Sequence, residues 1–170
     1  LLEVAAALRE RGKNSVRFII AGDMHLPKGL PGDLGAIGNR GGTLEDVVVE
    51  RGLKDSFLFL GHVAEPEKVL AASDVLVKPT RRNDPWGRDI LEALGAGLPV
   101  FTVGTWPVFI THGETGFIQP EFNVSAWAEG LESFQNDRQK LNQMGETARA
   151  RIARLCDGQS RASDILEARD

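Results

Sequence analysis

The stretch DPWGRDILEALGAGLPV, residues 84–100, predicts a helix that leads directly into a buried strand. Its apolar residues recur at helical spacing between Gly87 and Gly97, and the following Leu98-Pro99 is typical of a helix that has ended. The next run, PVFTV (99–103), is apolar throughout and rich in β-formers, which indicates a strand that is buried on both faces.

The same alternation extends in both directions along the chain. Short apolar runs predict strands at 16–21, 56–60, 74–78, 99–103 and 117–119. Helical spacing predicts helices at 1–11, 43–52, 66–72, 87–97, 123–135, 137–155 and 160–169. The glycine-rich stretch 23–42 predicts a long flexible loop. Alternating strands and helices predict an α/β fold, a Rossmann-like parallel sheet with helices on both faces.

Composition restricts the classes of protein that this chain can belong to. It has 170 residues and a formal net charge of −4, with 24 acidic against 20 basic residues, so it has no basic footprint for nucleic acid. A single cysteine excludes an internal disulfide and favours a reducing, cytoplasmic setting. The chain opens in mid-helix without an initiator Met, which indicates either a mature or trimmed terminus or a chain that begins inside a longer protein.

Two carboxylates flank the start of the 87–97 helix. Asp84 lies in the loop before it, and Glu92 lies about a turn and a half inside it. Two explanations are open for Asp84, a ligand to sugar hydroxyls or an N-cap followed by proline at the first helical position. Glu92 could equally face solvent, but its apolar neighbours favour a partly buried and partnered carboxylate.

The helix start between these carboxylates has the features of an anion site. Free N–H groups point out of a helix N-terminus, and Gly87 has no side chain to keep a ligand away. Arg88 opposes the helix dipole unless a bound anion offsets it, although a surface arginine is an equally ordinary explanation. Ligands of such folds bind outside the carboxyl ends of the strands. The segments expected to meet there are Gly22-Asp23, 61–63, 78–86 and 104–105.

With these pieces in place, the sequence resembles the C-terminal, nucleotide-sugar-binding half of GT-B-fold retaining glycosyltransferases of group 1 (family 4). Five segments match in the family's order, and Asp84-x7-Glu92 corresponds to its E-x7-E signature with Asp in the first position. The segments are IIAGD (19–23), FLFLGHV (57–63), LAASDVLVKPTRR (70–82), DPWGRDILEALGAGLPVF (84–101) and HGETGFIQP (112–120).

The resemblance implies a role for each residue of the site. Glu92 would bind the ribose hydroxyls of the nucleotide, and Asp84, the implied catalytic residue, would bind hydroxyls of the transferred sugar. Backbone N–H groups of Trp86, Gly87 and Arg88 would hold the sugar and the diphosphate. The backbone near Val63 would frame the base, and Gly22 would line the same crevice. The family needs no metal and no cofactor, since the nucleotide sugar is itself the substrate.

The resemblance also implies parts that lie before Leu1. These are the domain's first strand, the basic pair that follows it, and the N-terminal acceptor domain, through which such enzymes associate peripherally with membranes. The absent strand predicts a rearranged sheet, a partner segment or an upstream part outside these 170 residues. Two other functions stay open, a GT-B-fold nucleotide-sugar epimerase and a non-catalytic nucleotide-sugar-binding module.

Overall fold

A computed structural model of the chain describes residues 1–80 and 83–167. The last two residues of the segment 70–82 and the end of the predicted helix 160–169 lie outside the described residues. The chain divides into two compact units, Leu1–Glu65 with Val124–Gln135, and Pro66–Asn123 with Asn136–Asp170. No helix of the described part is long and apolar enough to cross a membrane.

The first unit contains a two-stranded parallel sheet. Strand β1 (Phe18–Ala21) pairs with β2 (Phe57–Gly61), and Phe18 lies opposite Phe57. Its helices, in chain order, are α1 (Leu2–Glu10), α2 (Gly32–Asn39), α3 (Leu44–Glu50) and a 3-10 turn (Lys54–Ser56). The later helix α6 (Val124–Asn136) also belongs to this unit, except for its last residue.

The second unit contains a three-stranded parallel sheet in the order β3-β4-β5. Its elements are α4 (Pro66–Ala71), β3 (Leu76–Lys78), α5 (Arg88–Ala96), β4 (Val100–Val103), β5 (Gly116–Gln119), α7 (Arg138–Leu155) and α8 (Gly158–Glu167). All four residues of β4 are buried, as expected of a central strand that is covered on both faces. The prediction of a parallel, Rossmann-like α/β fold is confirmed, with the strands divided between two sheets.

The core of the second unit forms because α5 presents one apolar stripe. Ile90, Ala93 and Leu94 are fully buried at i, i+3 and i+4, and they join a cluster with residues of β4 and α7. Helix α5 ends at Gly97, whose φ of 82° is the left-handed conformation that glycine adopts readily. The helix-to-strand prediction for residues 84–100 is therefore confirmed.

The glycine-rich stretch was wrongly predicted as a loop throughout, since it contains helix α2. Helix α2 is held by its surroundings: Ile37 is 2% exposed, and Asp33 pairs with Arg51 at 2.6 Å. A Cβ on Gly35 would lie 1.7 Å from the carbonyl oxygen of Leu30, so the local packing requires glycine there. Tertiary contact thus outweighs the poor helix propensity of glycine.

Candidate functional site

The candidate site is built around the loop 83–87, which leads from β3 into α5. Asn83 has a φ of 52°, uncommon for a residue other than glycine, and its Nδ2 donates to the Pro120 carbonyl at 3.5 Å. Asp84 and Trp86 are exposed, whereas Pro85 between them is buried. The loop therefore turns its proline inward and presents the flanking side chains to solvent.

The start of α5 excludes one of the two explanations of Asp84, the N-cap. Gly87 is the N-cap of the helix and Arg88 is its first residue, so Asp84-Pro85 is not an N-cap followed by a first-turn proline. Gly87 has φ 142° and ψ 160°, a conformation essentially restricted to glycine. No side chain caps this end of α5, so the first N–H groups of the helix remain open to a ligand.

An ion pair that sequence reasoning missed fixes this turn. The Nζ of Lys78, at the end of β3, lies 2.9 Å from Oδ1 of Asp89 and also donates to the carbonyl oxygen of Trp86. A Cβ on Gly87 would lie 2.3 Å from the Asp89 carboxylate and 2.6 Å from the Lys78 ammonium. Glycine at position 87 is therefore required by its backbone angles, and a Cβ there would displace these two side-chain ends. A lysine at the carboxyl end of an otherwise apolar strand was the available signal.

The two carboxylates of the motif are both free to bind a ligand. Asp84 and Glu92 are exposed, and neither carboxylate makes a hydrogen bond or ion pair within residues 1–80 and 83–167. The expectation that Glu92 is partly buried and partnered is wrong. Its position on α5 lies away from the buried stripe of Ile90, Ala93 and Leu94 and on the exposed side with Arg88, one turn earlier.

Arg88 is exposed at the first position of α5 and forms no ion pair with any residue that the structure describes. Among the described residues, its charge near the positive end of the helix dipole therefore has no ion-pair partner. An anionic ligand at this end would provide the compensation.

Gly22 and Val63 belong to the first unit, where they follow β1 and β2. The N–H of Gly22 donates to the Gly61 carbonyl at 2.7 Å, extending the strand pairing by one residue, and Gly22 has a φ of 122°. Val63 is half-buried two residues after β2. Both residues therefore lie at the carboxyl ends of parallel strands, as predicted. Their convergence with the residues of the second unit stays a prediction.

Parallel strands that alternate with helices, with polar loops at the carboxyl ends of the strands, define the Rossmann-like class of ligand-binding α/β folds. Within that class, residues 1–151 match the family "Glycosyl transferases group 1", which covers most of the chain. The chain belongs to this family, whose relatives have the GT-B fold.

Similar proteins agree with this assignment. The chain is 29% identical over 153 residues to the D-inositol 3-phosphate glycosyltransferase of Corynebacterium glutamicum (strain R), a match that covers 87% of the chain and 34% of that relative. It therefore spans about a third of the length of this curated relative. Among solved structures, TarM of S. aureus superposes with a TM-score of 0.77 at 19% identity, over 98% of this chain and 31% of that one. Anabaena HepE in complex with UDP superposes with a TM-score of 0.67 at 20% identity, over 96% of this chain and 52% of that one.

Proposed function

We propose that this chain is the donor-binding part of a retaining glycosyltransferase, which moves a sugar from a nucleotide-diphosphate sugar to an acceptor. The observation that carries the proposal is a pair of exposed carboxylates, Asp84 before and Glu92 within an uncapped helix start, which have no partner among the described residues. A nucleotide sugar has the ribose on one side of its diphosphate and the transferred sugar on the other, and both carry hydroxyls. Carboxylates accept hydrogen bonds from hydroxyls, and a helix N-terminus favours negative charge.

Each group then has a distinct task. Glu92 accepts hydrogen bonds from the ribose hydroxyls, and Asp84 accepts them from the transferred sugar. The N–H groups of Trp86, Gly87 and Arg88 hold the sugar and the diphosphate, and the Arg88 guanidinium adds positive charge beside them. The backbone near Val63 frames the base, and Gly22 follows the paired strand of the same unit.

Catalysis in this scheme is positioning together with stabilisation of developing charge. The bond from the anomeric carbon to the diphosphate oxygen breaks, and the acceptor oxygen bonds to that carbon from the same face. The leaving diphosphate takes the acceptor proton. The N–H groups at the start of α5 stabilise the negative charge that grows on the diphosphate.

The acceptor is bound outside these 170 residues, in a further domain. The isolated chain should therefore bind a nucleotide diphosphate weakly at most and should not transfer sugar. Robust sugar transfer by residues 1–170 alone would overturn the proposal that the acceptor is bound in a further domain.

Calorimetry on the full-length protein tests the donor site. UDP, other nucleoside diphosphates and their sugars are titrated into the wild type, Glu92→Ala and the matched control Glu114→Ala. Glu114 is an exposed carboxylate just before β5, at the amino ends of the parallel strands, whereas the candidate site lies at their carboxyl ends. Donor binding that is lost in Glu92→Ala and kept in Glu114→Ala supports the proposal, and equal affinity in all three proteins refutes the role of Glu92.

Product analysis separates the classes of reaction. NMR of the product formed from a donor with an α-linked sugar should show an α-linked product, as a retaining transferase requires. A β-linked product would exclude retention, and isomerised nucleotide sugar without transfer would indicate an epimerase.

A further inference from the structure

Two exposed indole rings lie side by side where the loop before α5 meets the segment after β4. The ring centroids of Trp86 and Trp106 are 6.0 Å apart, and the ring planes are inclined by 61°. Trp86 is 47% exposed and Trp106 is 46% exposed. Neighbouring large apolar side chains that stay open to solvent are typical of binding surfaces, since folding alone favours their burial.

The tryptophan pair rests on a fixed base. The Phe109 ring, which is 9% exposed, lies 4.8 Å from Trp86 and 5.3 Å from Trp106 between centroids. Arg151 of α7 donates from Nε and Nη2 to the Val108 carbonyl at 3.0 and 2.7 Å, and from Nη2 to the Pro107 carbonyl at 3.2 Å. The segment that carries Trp106 is therefore held at its backbone.

The two segments are also in direct contact. Pro85 is buried against Gly104, where an added Cβ would lie 2.4 Å from the proline Cγ. Because both segments are fixed, the two indoles are arranged before any ligand arrives. A preorganised aromatic surface loses little conformational entropy on binding, so more of its contact energy contributes to affinity.

The surroundings of the pair fit a sugar ring. A pyranose presents C–H groups on its faces and hydroxyls around its rim, so it is bound by an aromatic face beside a hydrogen-bond acceptor. Trp86 and Trp106 meet edge to face, which leaves indole surface uncovered, and the exposed carboxylate of Asp84 lies two residues before Trp86. We infer that the Trp86 and Trp106 side chains form a stacking surface for a pyranose ring of the substrates, with Trp106 as a specificity-determining residue. This inference rests on the proposed function.

The pyranose has two sources, the transferred sugar of the donor and a sugar of the acceptor, and the experiment distinguishes them. The full-length wild type is compared with Trp106→Ala, Trp106→Phe and the control Val49→Ala, which removes apolar surface from an exposed position on α3. Three quantities are measured: the Kd of UDP, the Kd of the nucleotide sugar, and the KM of the acceptor.

We expect Trp106→Ala to leave the Kd of UDP unchanged, since UDP has no pyranose, and this also shows that the site is folded. A nucleotide-sugar Kd raised about fivefold would assign the surface to the donor sugar, and an acceptor KM raised by a similar factor would assign it to the acceptor. Trp106→Phe should restore most of the loss, and Val49→Ala should match the wild type.

The failures are distinct. If UDP binds and Trp106→Ala changes neither the nucleotide-sugar Kd nor the acceptor KM, the stacking proposal is wrong while the proposed function stands. If Trp106→Ala weakens UDP as much as it weakens the nucleotide sugar, the residue supports the loop and the stacking proposal is again wrong. If the wild type binds neither UDP nor any other nucleotide or nucleotide sugar, the proposed function fails and the stacking proposal fails with it.

Discussion

Replacing Gly87 with alanine should damage the start of α5 in two ways. An L-residue at φ 142° and ψ 160° is strained by about 1–3 kcal/mol. The new Cβ would also lie 2.3 Å from the Asp89 carboxylate and 2.6 Å from the Lys78 ammonium. These are side-chain ends that can move aside, so the free energy of unfolding should fall by the backbone strain, roughly 1–3 kcal/mol. Their movement breaks the ion pair that holds the turn.

The Kd of the nucleotide sugar should therefore rise about tenfold, even under conditions where the variant is fully folded. The matched control is Gly95→Ala in the same helix, where the added Cβ meets only Ile152, at 3.8 Å. That change should raise the free energy of unfolding by about 0.5–1 kcal/mol and leave donor affinity unchanged. Urea unfolding and calorimetry measure the two quantities. If the two variants behave alike, the requirement for glycine at position 87 is refuted.

Three further predictions concern stability. Gly145→Ala should lower the free energy of unfolding by about 1–3 kcal/mol in urea, because its Cβ would lie 2.1 Å from the Gly97 carbonyl oxygen, and an unchanged midpoint would contradict this. Arg151→Met should lower the free energy of unfolding by about 1–3 kcal/mol, because it leaves the part-buried Val108 carbonyl unpaired. Urea unfolding measures this loss, and an unchanged free energy would contradict the prediction. The backbone N–H of Thr43, the N-cap of α3, donates to the Asp46 carboxylate and holds the pKa of Asp46 below its ordinary 3.8. The stabilisation that the ionised Asp46 contributes is therefore present above pH 3.8 and is lost as the pH falls through the lowered pKa. Asp46→Asn should thus lose less stability than the wild type between pH 5 and about 2, and equal losses on acid titration would show that Asp46 does not contribute.

Local sequence signals were sufficient to predict helix α5 and the strands. The spacing of Ile90, Ala93 and Leu94 and the terminating Gly97 are properties of a few adjacent residues, and they predicted the helix to within one residue at each end. They did not locate the N-cap, since Asp84-Pro85 is as good a capping sequence as the Gly87 that occupies the position. The backbone angles at Gly87 depend on how the loop is held.

The remaining features depend on contacts between distant residues. The Lys78–Asp89 pair spans 11 residues, and the Trp86–Trp106 pair brings together two rings that are dispersed in the sequence. No periodicity connects such residues, because the sheet and the helix between them set their distance. Helix α2 was missed for the same reason, since its stability comes from the burial of Ile37.

We propose that Asp84 and Glu92 bind the two sugars that flank the diphosphate of a nucleotide sugar. A crystal structure of the full-length protein with its nucleotide-sugar donor tests this most directly. We expect the Glu92 carboxylate within hydrogen-bond distance of the ribose hydroxyls, Asp84 within that distance of the transferred sugar, and the diphosphate at the N-terminus of α5. A donor bound away from α5, with Asp84 and Glu92 still in solvent, would contradict it.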